Sequence, residues 1–244
     1  MNPLNNYILH LADNALILGQ RNAEWCGHGP ILEQDIAITN ISLDLIGQAR
    51  NFYQYAAESI GNNTTEDSLA YLRTEREFKN CLLVEQPNGD WAQTILRQFL
   101  FSSYQYFLFQ KLKDFSDEKI AAIAAKSLKE ITYHVRWSAD WVIRLGDGTE
   151  ESNQRINNAL QSLWQFTGEL FIPSEFEKEL KIDFDLIKEE WMQKVIEVFN
   201  KATLTIPEKI FMQTGGKNGI HTEHMGFILT ELQYLQRTYP GVEW

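Results

Sequence analysis

The chain has 244 residues, with 22 Lys and Arg against 33 Asp and Glu, a formal net charge of −11. Phosphate backbones are bound by clustered cations, so this balance excludes a nucleic-acid binder. Two cysteines, Cys26 and Cys81, exclude a disulfide scaffold, and a hydrophobic content of 44% with seven Trp and 14 Phe excludes intrinsic disorder.

The chain begins without a basic targeting region, and its first apolar stretch is interrupted by His10, Asp13 and Asn14. No uncharged run exceeds 13 residues, the length of Gln98 to Gln110. A membrane helix needs roughly 20 apolar residues. The expectation is a cytoplasmic protein with free thiols, no membrane partner and no nucleic acid.

Helical periodicity dominates from end to end. A first helix is expected at about 1–21. After the turn Gly27-His28-Gly29-Pro30 a second runs from about 32 to 60. Its apolar residues Ile38, Ile41, Leu45, Ala49, Phe52, Ala56 and Ile60 recur every three or four positions. At about 100° per residue they share one arc, with Glu33, Asn40, Asp44, Asn51 and Glu58 opposite. Gly61-Asn62-Asn63 ends it. Thr65 to Val84 reads as a charged helix, closed by Pro87-Asn88-Gly89-Asp90. Trp91 to Lys113 is a long aromatic helix. Ser116-Asp117-Glu118 caps a helix through Leu145. Thr149-Glu150-Glu151 opens another to about Phe171. Asp185 to Lys201 and Thr222 to Arg237 are the last two, with a loop at Thr214–Gly219 between them. No hairpin pattern stands out. The expected fold is all-α, an antiparallel four-helix bundle with additional C-terminal helices, in a single domain over residues 1–244.

A large helical bundle raises the question of a di-iron centre, which draws one Glu from each of two helices and a Glu-x-x-His pair from each of two others. Residues at i and i+3 share a face, so such a pair reaches one metal cluster. The residues three before His10, His28, His134, His221 and His224 are Tyr7, Trp25, Ile131, Asn218 and His221. None is acidic. The helix from Trp91 to Lys113 has no carboxylate at all. Neither Gly-x-Ser-x-Gly nor Gly-x-Gly-x-x-Gly occurs.

Longer blocks carry a family likeness. They include Ala15-Leu16-Ile17-Leu18-Gly19-Gln20-Arg21, Glu24-Trp25-Cys26-Gly27-His28, Leu43-Asp44-Leu45-Ile46-Gly47-Gln48-Ala49-Arg50 and Val84-Glu85-Gln86-Pro87-Asn88-Gly89. Arg144-Leu145-Gly146-Asp147-Gly148-Thr149, Thr214-Gly215-Gly216-Lys217 and His221-Thr222-Glu223-His224 continue the series. Together they resemble the C subunits of bacterial phenylacetyl-CoA epoxidases, which are multicomponent oxygenases. The resemblance covers essentially the whole chain.

It implies a ferritin-like, structural subunit that pairs with a homologous A subunit. That partner would hold the di-iron centre and the CoA thioester, and a reductase would supply electrons from NADPH. No cofactor is expected in this chain. Laying the family's Glu-x-x-His pairs over the sequence puts them at Leu45 and Gln48, and at Ile131 and His134. Metal-binding positions would then be filled with core. Asp13, Asp44, Glu130 and His134 are the remaining candidates for a degenerate site, with Asp44 and Glu130 off the apolar arcs and His134 read as an ordinary surface partner of Glu130.

His221 and His224, read as sharing a helix face, and Lys217 in its Gly-rich loop are candidate contacts for a partner or for CoA. A plain loop and a helix start account for them as well. Two alternatives stand beside the structural role. One is a helical protein that binds an acyl-CoA or an aromatic ligand. The other is a di-iron oxygenase with atypical ligands. Self-association of the isolated chain is left open.

Overall fold

A computed structural model describes residues 2–180 and 182–242. Met1, within the first expected helix, lies outside the described residues, as do positions 181, 243 and 244 of the expected domain. Among the described residues there are ten α-helices and no strand. They are α1 (Pro3–Ala23), α2 (Leu32–Ile60), α3 (Glu66–Tyr71), α4 (Leu82–Glu85), α5 (Trp91–Leu112), α6 (Glu118–Gly146), α7 (Glu150–Leu163), α8 (Glu175–Lys178), α9 (Phe184–Lys201) and α10 (Glu223–Thr238). The all-α expectation therefore holds.

The chain divides into two compact units. The first contains residues 1–86, 174–180 and 215–244, and the second residues 87–173 and 181–214.

In the first unit α1 is the central element. Every residue from Tyr7 to Gly19 is buried, including His10, Asp13 and Asn14. A helix buried on all sides must be surrounded by other elements, and α2 packs along it, with α4, α8 and α10 also in contact. The α2 arc from Ile38 to Ala56 is buried as expected, and Gly61 ends the helix with φ +70°. At Gly19 the two helices come close enough that a methyl group there would meet Leu45 Cβ and Ile46.

The second unit repeats this plan with other residues. Helix α5 is buried from Thr94 to Gln105, and the long amphipathic α6 packs on it together with α7 and α9. An aromatic cluster of Trp164, Phe171, Trp191 and Phe199 lies under α5, and the Trp191 indole N–H donates to the Leu100 carbonyl at 2.9 Å. Caps follow side-chain chemistry: Asp90, Asp117 and Thr149 accept from the first turns of α5, α6 and α7.

Two expected elements are corrected. The charged helix over Thr65–Val84 is only the short α3, a 3₁₀ turn at Glu75–Glu77 and α4. Between them the backbone serves α1, because Asp13 accepts from the Lys79 N–H and Asn14 from the Cys81 N–H. Those amides are lost to an intrahelical ladder. The helix expected to reach Phe171 ends at Leu163 and continues as 3₁₀ turns at Trp164–Phe166 and Gly168–Phe171. There Met212 packs so close to Gly168 that a methyl group would lie 2.7 Å from it.

Candidate functional site

Three acids, Asp13, Glu85 and Glu177, are buried in the first unit, at 0%, 0% and 1% exposure. A buried carboxylate is costly unless paired and hydrogen-bonded. Each has one cation and a full set of donors.

Asp13 is placed by α1. The Arg73 guanidinium grips both its oxygens, with Nη1 at 3.1 Å from Oδ2. The Tyr53 hydroxyl donates at 2.6 Å and the Lys79 N–H at 2.7 Å. Arg73 lies over the Phe78 ring at 4.1 Å and also donates to the Glu77 carbonyl. Burial works against its charge, but the Asp13 carboxylate more than compensates and raises its pKa. Burial, then the Asp13 charge, pushes the Tyr53 hydroxyl well above its ordinary value, so the phenol stays a donor.

Glu177 belongs to a capping box at the start of α8, accepting from the Ser174 N–H and hydroxyl at 2.8 Å each. The Lys217 ammonium donates to both its oxygens, at 3.0 and 3.2 Å. Burial raises the carboxyl's pKa, and the Lys217 charge with the Ser174 bonds overrides this, leaving it below the usual value. His10 approaches Glu177 at 3.6 Å. Burial lowers the imidazole's pKa. His10 Nδ1 contacts the Lys79 carbonyl at 2.7 Å and Nε2 lies 3.2 Å from Asn14 Nδ2. This is the pattern of a neutral ring donating through Nδ1, so Lys217 is the counter-ion of Glu177.

Glu85 accepts from the Thr222 N–H at 2.6 Å, the Thr222 hydroxyl at 2.8 Å and Asn80 Nδ2 at 2.8 Å. Its remaining partner is His221, with Nδ1 at 2.7 Å, while Nε2 of that ring faces the Phe78 carbonyl at 3.1 Å. Two acceptors favour an imidazolium. Burial opposes it, but the Glu85 hydrogen bond and charge raise the ring's pKa overall.

The Gly-rich loop that delivers Lys217 and His221 is a packing device. A Cβ at Gly216 would lie 2.3 Å from the Asn80 carbonyl oxygen, and one at Gly219, where φ is +76°, 2.2 Å from that of Arg76. Glycine allows the loop to lie against residues 76–82, so that its cation reaches the interior.

The sequence-derived residues fall as follows. Leu45 and Gln48 are buried on α2 in the first unit, at 0% and 1% exposure. Ile131 and His134 are both at 0% on α6 in the second. The surface placement expected for His134 is thereby corrected: one turn on, the Ser138 hydroxyl bonds the His134 carbonyl at 2.6 Å, on the buried face. Asp44 and Glu130 are half-buried. Lys217 is 3% exposed. His221 precedes α10, so it does not share a helix face with His224, which sits in the first turn beyond the Thr222 cap. Glu85, Glu177 and Arg73 were not singled out from the sequence. Among the described residues, no three His, Cys, Asp or Glu side chains form a group that could hold a metal ion.

Over residues 1–244 the sequence matches the family described as phenylacetic acid catabolic protein. The chain belongs to this family. It is 49% identical over 249 residues, covering all of both chains, to the C subunit of the 1,2-phenylacetyl-CoA epoxidase of Escherichia coli (strain K12). The resemblance read from the sequence blocks is thus a true relationship. Among the described residues, no helix is long and apolar enough to cross a membrane.

Proposed function

We propose that the chain is a non-catalytic, structural subunit of a multicomponent phenylacetyl-CoA epoxidase. It would pair with a homologous catalytic subunit that holds the di-iron centre, while a reductase supplies electrons from NADPH. The full-length likeness to a component of such an epoxidase supports the assignment to a complex of this kind. The structural role rests on one observation: each interior carboxylate of the first unit is neutralised by a cation of the same unit.

A di-iron centre needs carboxylates that turn their lone pairs towards metal. Asp13, Glu85 and Glu177 turn theirs towards Arg73, His221 and Lys217 instead. Where the family pattern puts the two Glu-x-x-His pairs, the residues are Leu45, Gln48, Ile131 and His134. These residues do not fit the metal. The chain's own contribution is then shape and rigidity, with the ion pairs fastening distant segments of the first unit to one another. A direct acyl-CoA role for Lys217 finds no support, because its ammonium is buried against Glu177.

The test is to purify the chain and measure its iron, then assay epoxidation with and without the catalytic subunit and reductase. Iron well below one per chain, no turnover by the chain alone, and turnover that depends on adding it to the other components are expected. About two irons per chain, the complement of a di-iron bundle, or oxygenation by the chain alone would overturn the proposal.

A further inference from the structure

A cleft of about 370 Å³ opens in the second unit, lined by residues of α5, α6 and α9. Its apolar lining includes Ala139 and Val198, both buried, with Val135 and Ile143, both half-buried. Helix α5 adds Tyr106 and Phe107, whose rings meet edge to face at 5.2 Å and 83°. Both rings are only half-buried, so the cleft keeps open aromatic surface.

The charges around it are cationic in balance. Lys194 and Lys201, one turn either side of Glu197 on α9, both donate to it, at 3.0 and 2.7 Å. One carboxylate therefore serves two ammonium groups. Arg136 and Asp140, one turn apart on α6, are the other two charges of the lining. Among the described residues Arg136 has no ion-pair partner. Three cations against two carboxylates leave one positive charge in excess, in a chain whose net charge is −11. Apolar walls focus such a field and draw an anion in. Size then narrows the choice. Ligand sites run from about 300 to 1,000 Å³, and this cleft is at the small end. A single ring fits, whereas a CoA thioester is too large and brings more negative charge than the excess balances. The open Tyr106 and Phe107 rings favour a flat aromatic body, and a guanidinium offers a carboxylate two parallel N–H bonds.

We propose that this cleft binds a small free aromatic acid, with its ring against Tyr106 and Phe107 and its carboxylate on the Arg136, Lys194 and Lys201 cations. The site is independent of the proposed function, since all its residues belong to the second unit of this chain and it needs neither iron nor another subunit.

Titration of the full-length chain with benzoate, followed by ligand-observed NMR, tests it. Acetate supplies the carboxylate without the ring, and benzyl alcohol the ring without the charge. Saturable benzoate binding that weakens as salt is raised is expected, with acetate and benzyl alcohol each about tenfold weaker for want of one half of the recognised chemistry. Arg136→Gln and Lys201→Gln should each weaken benzoate binding about two- to fivefold, the range of an exposed ion pair. Asp140→Asn should tighten it, because a repelling charge is removed. Ala139→Phe fills the cleft and should abolish binding, with circular dichroism to verify folding. Val135→Trp fills it from a half-buried position and serves as the second variant. Absence of saturable binding overturns the proposal, as does acetate or benzyl alcohol binding as tightly as benzoate. So does binding indifferent to both Arg136→Gln and Lys201→Gln, binding weakened by Asp140→Asn, or binding that survives a folded filling variant.

Discussion

Glu177 and Lys217 are 40 residues apart in sequence and meet where water does not reach. Removing one partner of such a pair costs about 3–5 kcal/mol, because the other charge is left buried alone. Lys217→Met is expected to lose that much in urea unfolding, and adding Glu177→Gln to recover a large part of it. That non-additivity identifies the two as one unit. The acids and histidines also set the pH range of stability. Glu177 has a lowered pKa when folded, so its contribution is complete above the ordinary carboxylate value of about 4.3 and is lost as pH falls through the folded value. His221 has a raised pKa, so its contribution is complete below about 6.5 and is lost as pH rises through the folded value. The urea midpoint should therefore peak between these limits, and His221→Asn should flatten its alkaline side. The sequence offered a hint of this chemistry at Asp13, a charge within the apolar first helix. It offered none at Glu85 or Glu177, whose partners lie 136 and 40 residues away. Burial there is decided by the contacts of distant segments, which periodicity does not encode.

At the level of elements, the long helices were legible because each carries a whole apolar face and a boundary signal, a capping side chain or a helix-ending glycine. Asp117 and the end at Gly61 are examples. The stretch from Thr65 to Val84 was misread for the opposite reason. Its amides are claimed by Asp13 and Asn14 of another helix, and helix-forming composition cannot outweigh hydrogen bonds already committed elsewhere. Glycines give a direct test of what the elements require. Gly216→Ala should destabilise markedly, since its methyl group would lie 2.3 Å from the Asn80 carbonyl oxygen. Gly47→Ala meets nothing within 4 Å. On an exposed helix interior it should stabilise by up to about 1 kcal/mol. Thermal unfolding of the two variants should move in opposite directions.

Across the whole molecule, each unit is built on one helix buried on nearly every side, α1 or α5, with a 29-residue amphipathic helix beside it. That plan bears on the composition: two central helices need apolar residues all round, and α5 alone holds Phe99, Phe101, Phe107, Phe109, Tyr104 and Tyr106. The net charge of −11 has two destinations. Most acids are on the outer faces, while Asp13, Glu85 and Glu177 are sealed inside the first unit with their counter-charges and Glu169 is buried in the second.

The closing of the first unit by residues from the far end of the chain also sets an order in time. A ribosome releases Asp13, Glu85 and Glu177 well before His221, and Lys217 emerges only shortly ahead of it. Until then two of the three acids have no counter-charge, and the nascent first unit stays open. Residues 87–214 supply the second unit from one uninterrupted stretch of synthesis, with only 174–180 looping out. The second unit is therefore expected to mature first, although it begins 86 residues later. A chain truncated after Gly215 should show protease cleavage throughout residues 1–86 while 87–173 stay protected.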